Sequence, residues 1–335
     1  MSRGIAEFCM QNFVALTRAY NLMKKHAAEA FFHEGSSCMF KRILSLLMLL
    51  AMLVPALAEE TEWPVVINRV DDPQVCADFA FAEGAELLQI TFPQMVDCDA
   101  ILLRCGGETM LVDACKKAYS ERIVDLCKQL GVTRIDRVVN THPHEDHLGG
   151  FSQVIKEIEV GELWICFPED YNNHMKTAVN AAKKAGIPIK TYTDGDVLTL
   201  GGATIEVWKL EGKIGEMNDC SAQMKVTFGA RTMLLAADLQ QDGQKKMVEL
   251  HGEALDADIL KYPHHGIEVL REDYMAAVSP MLLVITNNHR QTAGWKWIHS
   301  AQNTIPYAYT VPNLVHLTTD GMTWIAEKIP SAVKY

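Results

Sequence analysis

Apolar and polar residues alternate from about residue 86 onward in a way that predicts a layered protein of strands and helices. Three segments have the short apolar runs typical of strands: LLQITF, DAILLRC and TMLVDAC. The Gly106-Gly107 pair between the last two predicts a hairpin turn. The next segment, YSERIVDLCKQLG, has apolar residues at helical spacing and ends in Gly131, a common helix C-cap. The strand IDRVVNT follows, so this group continues as helix and strand.

A second group of strands repeats this organisation further along the chain. Its four predicted strands are DVLTL, TIEVWKL, AQMKVTF and TMLLAAD. Two predicted helices, FSQVIKEI and HMKTAVNAAKKAG, flank the strand ELWICF between the groups. Each group contains a hairpin, then a strand, a polar loop and a helix, which favours two αβ halves packed sheet to sheet with helices outside. No low-complexity linker separates them, so we predict one domain over residues 59–335.

The N-terminal part of the chain is typical of an export signal. Residues 39–58 open with Lys41 and Arg42, continue as an apolar run and end in Ala56-Leu57-Ala58. This pattern predicts a signal peptide cleaved before Glu59, with an uncleaved membrane anchor as the alternative. We therefore expect residues 1–38 to be an extra or wrongly assigned extension. The protein would be secreted or extracytoplasmic, without stable membrane insertion after cleavage.

Composition and charge fit a globular protein with an acidic surface. The 335 residues are 49% hydrophobic and 22% charged, and 31 Lys and Arg stand against 42 Asp and Glu, a formal net charge of −11. Such a surface repels long polyanions, which argues against non-specific nucleic-acid binding. Of nine cysteines, only Cys9 and Cys38 precede residue 59, so an odd number remains in the predicted mature chain. They form no CxxC pair, and most are expected to be small buried residues.

One loop concentrates metal-binding side chains. In THPHEDHLGG, His142 and His144 are two residues apart and point the same way in an extended segment, whereas Asp146 and His147 reach a second point. Imidazole and carboxylate together suit zinc, manganese or iron. The alternative is a set of solvated loop histidines.

The motifs of this chain resemble those of the metallo-β-lactamase superfamily, and within it the ComEC-like competence proteins. THPHEDHLGG is similar to the HxHxDH signature of the superfamily. Three further segments are similar to ComEC-like motifs and occur in the same order: DAILLRCGGETMLVDAC, NDCSAQMKV and DILKYPHHGIE. The resemblance runs from about residue 86 to 327. It implies the α/β fold class, as a four-layer αββα sandwich.

The resemblance also implies a centre of two divalent metal ions, with zinc favoured and manganese as the alternative. His142 and His144 would bind the first ion, Asp146 and His147 the second, and Asp238 would bridge both. One histidine of the YPHHG motif, His264 or His265, would complete the second site. The physical chemistry agrees, because a carboxylate at a strand end can share its oxygens between two cations.

The chain departs from the family pattern at several positions. The loop EGKIGEMNDCSA lacks the histidine that many superfamily members supply to the first ion, so Asn218, Asp219, Cys220 or water would have to replace it. VDCDA stands where the family has GQGDA. Asp113 could orient a ligand histidine or be a plain turn residue, and Lys261 could aid a developing anion or be a solvated strand-end lysine.

These observations predict an exported hydrolase that uses a metal-bound hydroxide. The residues assigned to catalysis are Asp146, His264 and His265, with the histidine that binds no metal as proton donor to the leaving group. A small or exo-cleaved phosphoester is the favoured substrate, and nucleic acid is disfavoured by the acidic charge. The alternatives are an acyl hydrolase, acting on a lactone or a β-lactam, and a catalytically weakened binding protein on the same fold.

Overall fold

A computed structural model describes residues 65–67, 74–75, 80–211 and 217–330. The predicted extension, residues 1–38, and the predicted signal peptide, residues 39–58, lie outside these ranges. Among the helices within them, none combines the length and the apolar character that crossing a bilayer requires.

The described strands form two sheets. The first has ten strands in the order β2-β1-β17-β16-β3-β4-β5-β6-β7-β8. They are β1 (Val65–Ile67), β2 (Gln74–Val75), β3 (Leu88–Phe92), β4 (Ile101–Cys105), β5 (Glu108–Val112), β6 (Arg134–Asn140), β7 (Glu159–Ile165), β8 (Ile189–Thr191), β16 (Asn313–Thr319) and β17 (Trp324–Pro330). Strands β5 to β8 run parallel to one another, and the other pairings are antiparallel.

The second sheet has seven strands in the order β15-β14-β13-β12-β11-β10-β9. They are β9 (Val197–Leu200), β10 (Ala203–Trp208), β11 (Gln223–Phe228), β12 (Arg231–Leu235), β13 (Ile259–Lys261), β14 (Leu282–Ile285) and β15 (Tyr307–Tyr309). Its antiparallel part, β9 to β12, is followed by four parallel strands, β12 to β15.

Helices cover the outer face of each sheet. The described α-helices are α1 (Ser120–Gln129), α2 (Glu145–Leu148), α3 (Phe151–Glu157), α4 (Asn173–Ala185), α5 (Gln241–His251), α6 (Glu272–Val278) and α7 (Ala293–Ile298). Residues such as Ile90 and Ile205 fill a core between the sheets. A second core joins α1, α3 and α4 to the first sheet, and a third joins α5, α6 and α7 to the second sheet. The predicted αββα four-layer sandwich is confirmed.

The C-terminal hairpin is a feature that the alternating pattern did not predict. Strands β16 and β17 leave the second half of the chain and return to the first sheet, where β16 pairs with β3 and β17 with β1. Trp324 on β17 is completely buried in the core between the sheets. This long-range pairing ties the end of the described chain to its beginning.

The parallel strands of both sheets deliver polar residues to one junction. Asp113 follows β5, His142 follows β6 by two residues, Asp238 follows β12, His265 follows β13 and Thr286 follows β14. The carboxyl ends of parallel strands lie at the same edge of a sheet, where ligands of α/β proteins commonly bind. The fold therefore brings side chains from distant segments together at this edge.

Candidate metal centre

The loop after β6 places His142 and His144 against each other. The Nε2 atom of His142 lies 2.9 Å from the Nδ1 atom of His144. Two nitrogens bound to one tetrahedral zinc ion at about 2.0 Å lie roughly 3.3 Å apart. His142 is completely buried, whereas His144 is half-buried. The pair therefore has the spacing of two ligands of a single ion.

Asp113 organises this loop from behind. Its Oδ1 accepts hydrogen bonds from Asn140 Nδ2 at 2.9 Å and from the Thr141 amide at 2.8 Å. Its Oδ2 accepts from Thr141 Oγ1 and from His147 Nδ1, both at 2.7 Å. Because Thr141 donates its hydroxyl proton to Asp113, its oxygen accepts from His142 Nδ1 at 3.1 Å. These contacts assign the proton of His142 and of His147 to Nδ1, so the Nε2 lone pair of each ring faces the cluster and can bind a metal ion.

The Gly149-Gly150 pair lets this loop pass closely beneath its neighbours. A Cβ atom on Gly150 would lie 2.2 Å from the carbonyl oxygen of Ala114, and Gly150 donates its own amide to Cys115 at 2.9 Å. Close backbone approach is the reason for glycine here. It fixes the helix that carries Asp146 and His147 against the end of β5.

Asp238 lies at the centre of the cluster. Its Oδ2 is 3.1 Å from His147 Nε2, 3.4 Å from His265 Nε2 and 3.9 Å from His142 Nε2. The side chain is buried, and its amide donates to Ser221 Oγ at 3.3 Å. One carboxylate therefore faces ligands of both predicted metal positions, which is the arrangement that a bridging ligand needs.

The two histidines of the YPHHG motif have different surroundings. His265 is buried, and its Nε2 lies 3.6 Å from Asp146 Oδ2. His264 points away from the donor cluster: its Nε2 faces Asn218 Nδ2 at 3.5 Å and its Nδ1 lies 3.4 Å from Glu268 Oε1. The structure thus places His265 among the candidate ligand atoms and His264, whose side chain is 20% exposed, at the edge of the cluster.

The donor set fits a divalent cation. Asp146, His147, Asp238 and His265 each offer a ligand atom, and these atoms all lie within 4.8 Å of one another. His147 Nε2 and His265 Nε2, which both face Asp238 Oδ2, are buried without a hydrogen-bond partner. Buried polar atoms are normally satisfied, so such a group of orphans at one point indicates a bound ion or water. Nitrogen and carboxylate donors suit zinc and manganese.

Electrostatic coupling within the cluster supports the same conclusion. Burial lowers the pKa of His142 well below its ordinary value. Burial also acts to lower the pKa values of His147 and His265, but the charge of Asp238 raises both well above the ordinary value, with Asp113 adding for His147 and Asp99 for His265. Burial opposes ionisation of Asp238, yet His147 and His265 hold its pKa well below the ordinary value. A cation bound here would replace protons as the countercharge of these carboxylates.

Strained backbone concentrates around the cluster. Seven non-glycine residues have positive φ in the described ranges, and all but Ser279 border this junction: Asp97, Asp113, Cys115, Ala237, His264 and His265. Such conformations cost of order 1 kcal/mol each and persist where the surroundings over-determine them, often at functional sites. The surrounding structure therefore fixes the backbone at this junction in conformations that reduce local stability.

The residues proposed to replace the missing histidine differ in their surroundings. Asp219 accepts through Oδ1 from the amides of Gln240 at 2.8 Å and Gly243 at 3.0 Å, so this oxygen stabilises the start of α5. Asn218 is buried with an Oδ1 that has no hydrogen-bond partner, next to His264. Cys220 is half-buried beside it. None of the described cysteines is joined in a disulfide.

The interpretation of Lys261 as a solvated strand-end lysine is wrong. Its side chain is completely buried, and its Nζ contacts Asp99 Oδ2 and donates to the Ala237 carbonyl at 2.9 Å. Thr286 and Asn287, after β14, also contact this region, and the sequence reasoning did not find them. The only signal was the polar TNN run directly after an apolar strand.

Comparison with known proteins finds a protein family and several relatives that match this chain. A family model described as the metallo-beta-lactamase superfamily matches residues 95–278, which is more than half of the chain. The chain is 25% identical over 160 residues to ComE operon protein 3 of Bacillus subtilis, covering 47% of this chain. It is 25% identical over 192 residues to competence protein ComA of Neisseria gonorrhoeae, covering 57% of this chain. The matches span only 20% and 26% of the length of these two relatives.

Solved structures align with parts of this chain at low sequence identity. The metallo-beta-lactamase fold protein YhfI of Bacillus subtilis aligns with a TM-score of 0.46 at 14% identity, over 66% of this chain and 96% of its own. A protein from Parabacteroides distasonis, provisionally named a metal-dependent hydrolase, aligns with a TM-score of 0.44 at 19% identity, over 69% of this chain and 96% of its own.

Proposed function

Because the chain belongs to the metallo-beta-lactamase superfamily, we infer that it is a metal-dependent hydrolase, and we propose that it cleaves phosphoesters. One observation carries the proposal: Asp146, His147, Asp238 and His265 bring their ligand atoms within 4.8 Å of one another. These side chains come from distant segments of the sequence. Binding of a shared cation would explain why they converge at one point.

Two groups of side chains in the cluster would each hold one ion. His142 and His144 would hold the first ion, Asp146, His147 and His265 the second, and Asp238 would contact both. When bound, divalent cations activate a water molecule near neutral pH and stabilise negative charge on a phosphoryl or carbonyl oxygen. Asp113 keeps His142 and His147 in the tautomer that this binding needs.

His264 is proposed as the proton donor to the leaving group. It lies outside the ligand cluster, and its side chain reaches the surface at the edge of the centre. Asn218 Nδ2 and Glu268 Oε1 flank its two ring nitrogens at 3.5 and 3.4 Å and limit its rotation. An imidazole in this place can deliver a proton without giving up a metal ligand.

The substrate class follows from charge and from the relatives. Similarity to proteins named for competence supports a phosphoester, whereas 42 acidic residues against 31 basic ones disfavour binding along a long polyanion. We therefore propose a small or exo-cleaved phosphoester. Export to an extracytoplasmic compartment, through the segment of residues 39–58, remains part of the proposal.

The test combines metal analysis with two substrates. The purified chain should bind two divalent ions and hydrolyse bis-p-nitrophenyl phosphate faster than nitrocefin, which reports acyl hydrolysis. Asp238→Asn should abolish turnover and reduce metal content, whereas Glu206→Gln, at an exposed carboxylate on β10, should change neither. One tightly held ion with no turnover of either substrate would instead indicate a binding protein, the alternative that the missing histidine near residue 218 favours.

A further inference from the structure

We propose that five residues outside the ligand set position His265, and that the second metal ion is held weakly without them. The inference deepens the proposed metal centre and rests on it. The five residues come from the loop before β4 and from the ends of β13 and β14, and we call them the His265 clamp: Asp97, Asp99, Lys261, Thr286 and Asn287.

The first part of the clamp fixes the ring of His265. Thr286 Oγ1 donates to Asp99 Oδ1 at 2.6 Å, so its oxygen is left to accept from His265 Nδ1 at 3.0 Å. Asp99 Oδ1 itself lies 3.2 Å from the same nitrogen. The proton of His265 is therefore held on Nδ1, and Nε2 faces Asp146 and Asp238 with its lone pair.

The second part fixes Asp99. Its carboxylate is buried beside the ammonium group of Lys261, which is itself completely buried. Lys261 Nζ also donates to the Ala237 carbonyl at 2.9 Å and lies 3.9 Å from Asp238 Oδ1. A buried ammonium needs a charged partner, and Asp99 is that partner. Since Lys261 is enclosed on all sides, it acts through Asp99 and Asp238 and does not reach a substrate.

The third part fixes the backbone of His265. Its φ angle is +52°, a conformation that a non-glycine residue holds only under constraint. Asn287 Nδ2 donates to the His265 carbonyl at 3.0 Å and to Asp97 Oδ1 at 2.6 Å. Arg290 Nη1 donates to the other oxygen of Asp97 at 2.7 Å. Two aspartates, two residues apart on one loop, thus hold the ring and the main chain of the same histidine.

Thr286 offers the sharpest test because its hydroxyl can be removed without changing its shape. Apo-protein prepared with a chelator is titrated with Zn²⁺ by calorimetry, and its Co²⁺ form is followed by visible absorption, which reports coordination geometry. Thr286→Val should weaken the second Zn²⁺ by 10- to 100-fold and change the Co²⁺ spectrum of that site, because loss of such supporting hydrogen bonds has effects of this size. Thr286→Ser keeps the hydroxyl and should bind like the wild type.

Lys261→Met provides an independent test with a matched control. It should weaken binding of the second ion more than binding of the first, which shares Asp238 with it, whereas Arg231→Met should leave both affinities unchanged. Arg231 forms a buried ion pair with Asp258, 3.8 Å apart, at the opposite end of β12 and β13. The control therefore removes a buried cation of the same sheet without touching the centre.

The outcomes separate this inference from the proposed function. A wild-type chain that binds no divalent ion contradicts the metal centre itself. A wild-type chain that binds two ions, together with a folded Thr286→Val variant that binds its second ion equally tightly, overturns the clamp. If Lys261→Met does not fold, the comparison of Thr286→Val with Thr286→Ser still decides the matter.

Discussion

Replacing Asp113 by asparagine should damage the centre without changing its shape. Asparagine keeps an oxygen for the donors Asn140 Nδ2 and Thr141 N, but it places an NH2 group where Oδ2 accepts from Thr141 Oγ1 and His147 Nδ1. The threonine hydroxyl can rotate and accept instead. His147 can accept only if its proton moves to Nε2, the nitrogen that faces Asp238 at 3.1 Å.

The magnitude follows from these contacts. Two hydrogen bonds to a charged group are lost, each worth about 1.5 to 3 kcal/mol, and weaker neutral ones partly replace them, so we expect roughly 2 kcal/mol of destabilisation in the apo-protein. Zinc must in addition displace the proton on His147 Nε2. Metal affinity should therefore fall by about 10- to 100-fold, the range typical of such supporting partners.

Three measurements check this reasoning. Urea unfolding of the apo-proteins gives the change in stability, and competition with a chromophoric chelator gives the change in zinc affinity. Correlation of ring protons with ring nitrogens by NMR identifies the tautomer of His147. An Asp113→Asn variant whose His147 still carries its proton on Nδ1, and which binds zinc as tightly as the wild type, would refute the argument.

Three further results are expected. Chelation of metal from the purified chain should lower its thermal midpoint, since ions bind the folded state, and excess Zn²⁺ should restore it. Burial, aided by the charge of Arg104, lowers the pKa of His316 to about 4. The contribution of neutral His316 to the free energy of unfolding is therefore complete above pH 6.5, and up to about 3 kcal/mol of it is lost as the pH falls to 4. The urea midpoint of His316→Gln should depend less on pH over this range. Gly243→Ala, although it favours helix, should destabilise the chain by about 1 to 3 kcal/mol in urea unfolding, because its Cβ would lie 2.4 Å from Asp219 Oδ1.

Local patterns were sufficient to predict much of the molecule. The strand and helix segments from residue 86 to 238 are observed near their predicted positions, because the pattern of apolar and polar residues within each segment is enough to predict its type. The resemblance to the metallo-beta-lactamase superfamily and to its ComEC-like members is confirmed. Predictions for residues 1–58 stay predictions.

Features that depend on tertiary contacts were beyond the reach of the sequence. His264 and His265 are adjacent and chemically identical, and only the left-handed turn that both adopt decides which one faces Asp238. The role of Thr286 depends on Asp99, which is 187 positions away in the chain. Burial of Lys261 likewise depends on that aspartate, so its position at a strand end was misleading.

The placement of the donors at the junction of the two sheets has a consequence for metal selection. His147 and His265 lie on opposite halves of the sandwich, so no complete site exists until the chain has folded. The complete site can therefore bind metal only in the compartment where the chain finishes folding. If the proposed export precedes folding, the divalent ions outside the cytoplasm would determine which metal the site binds.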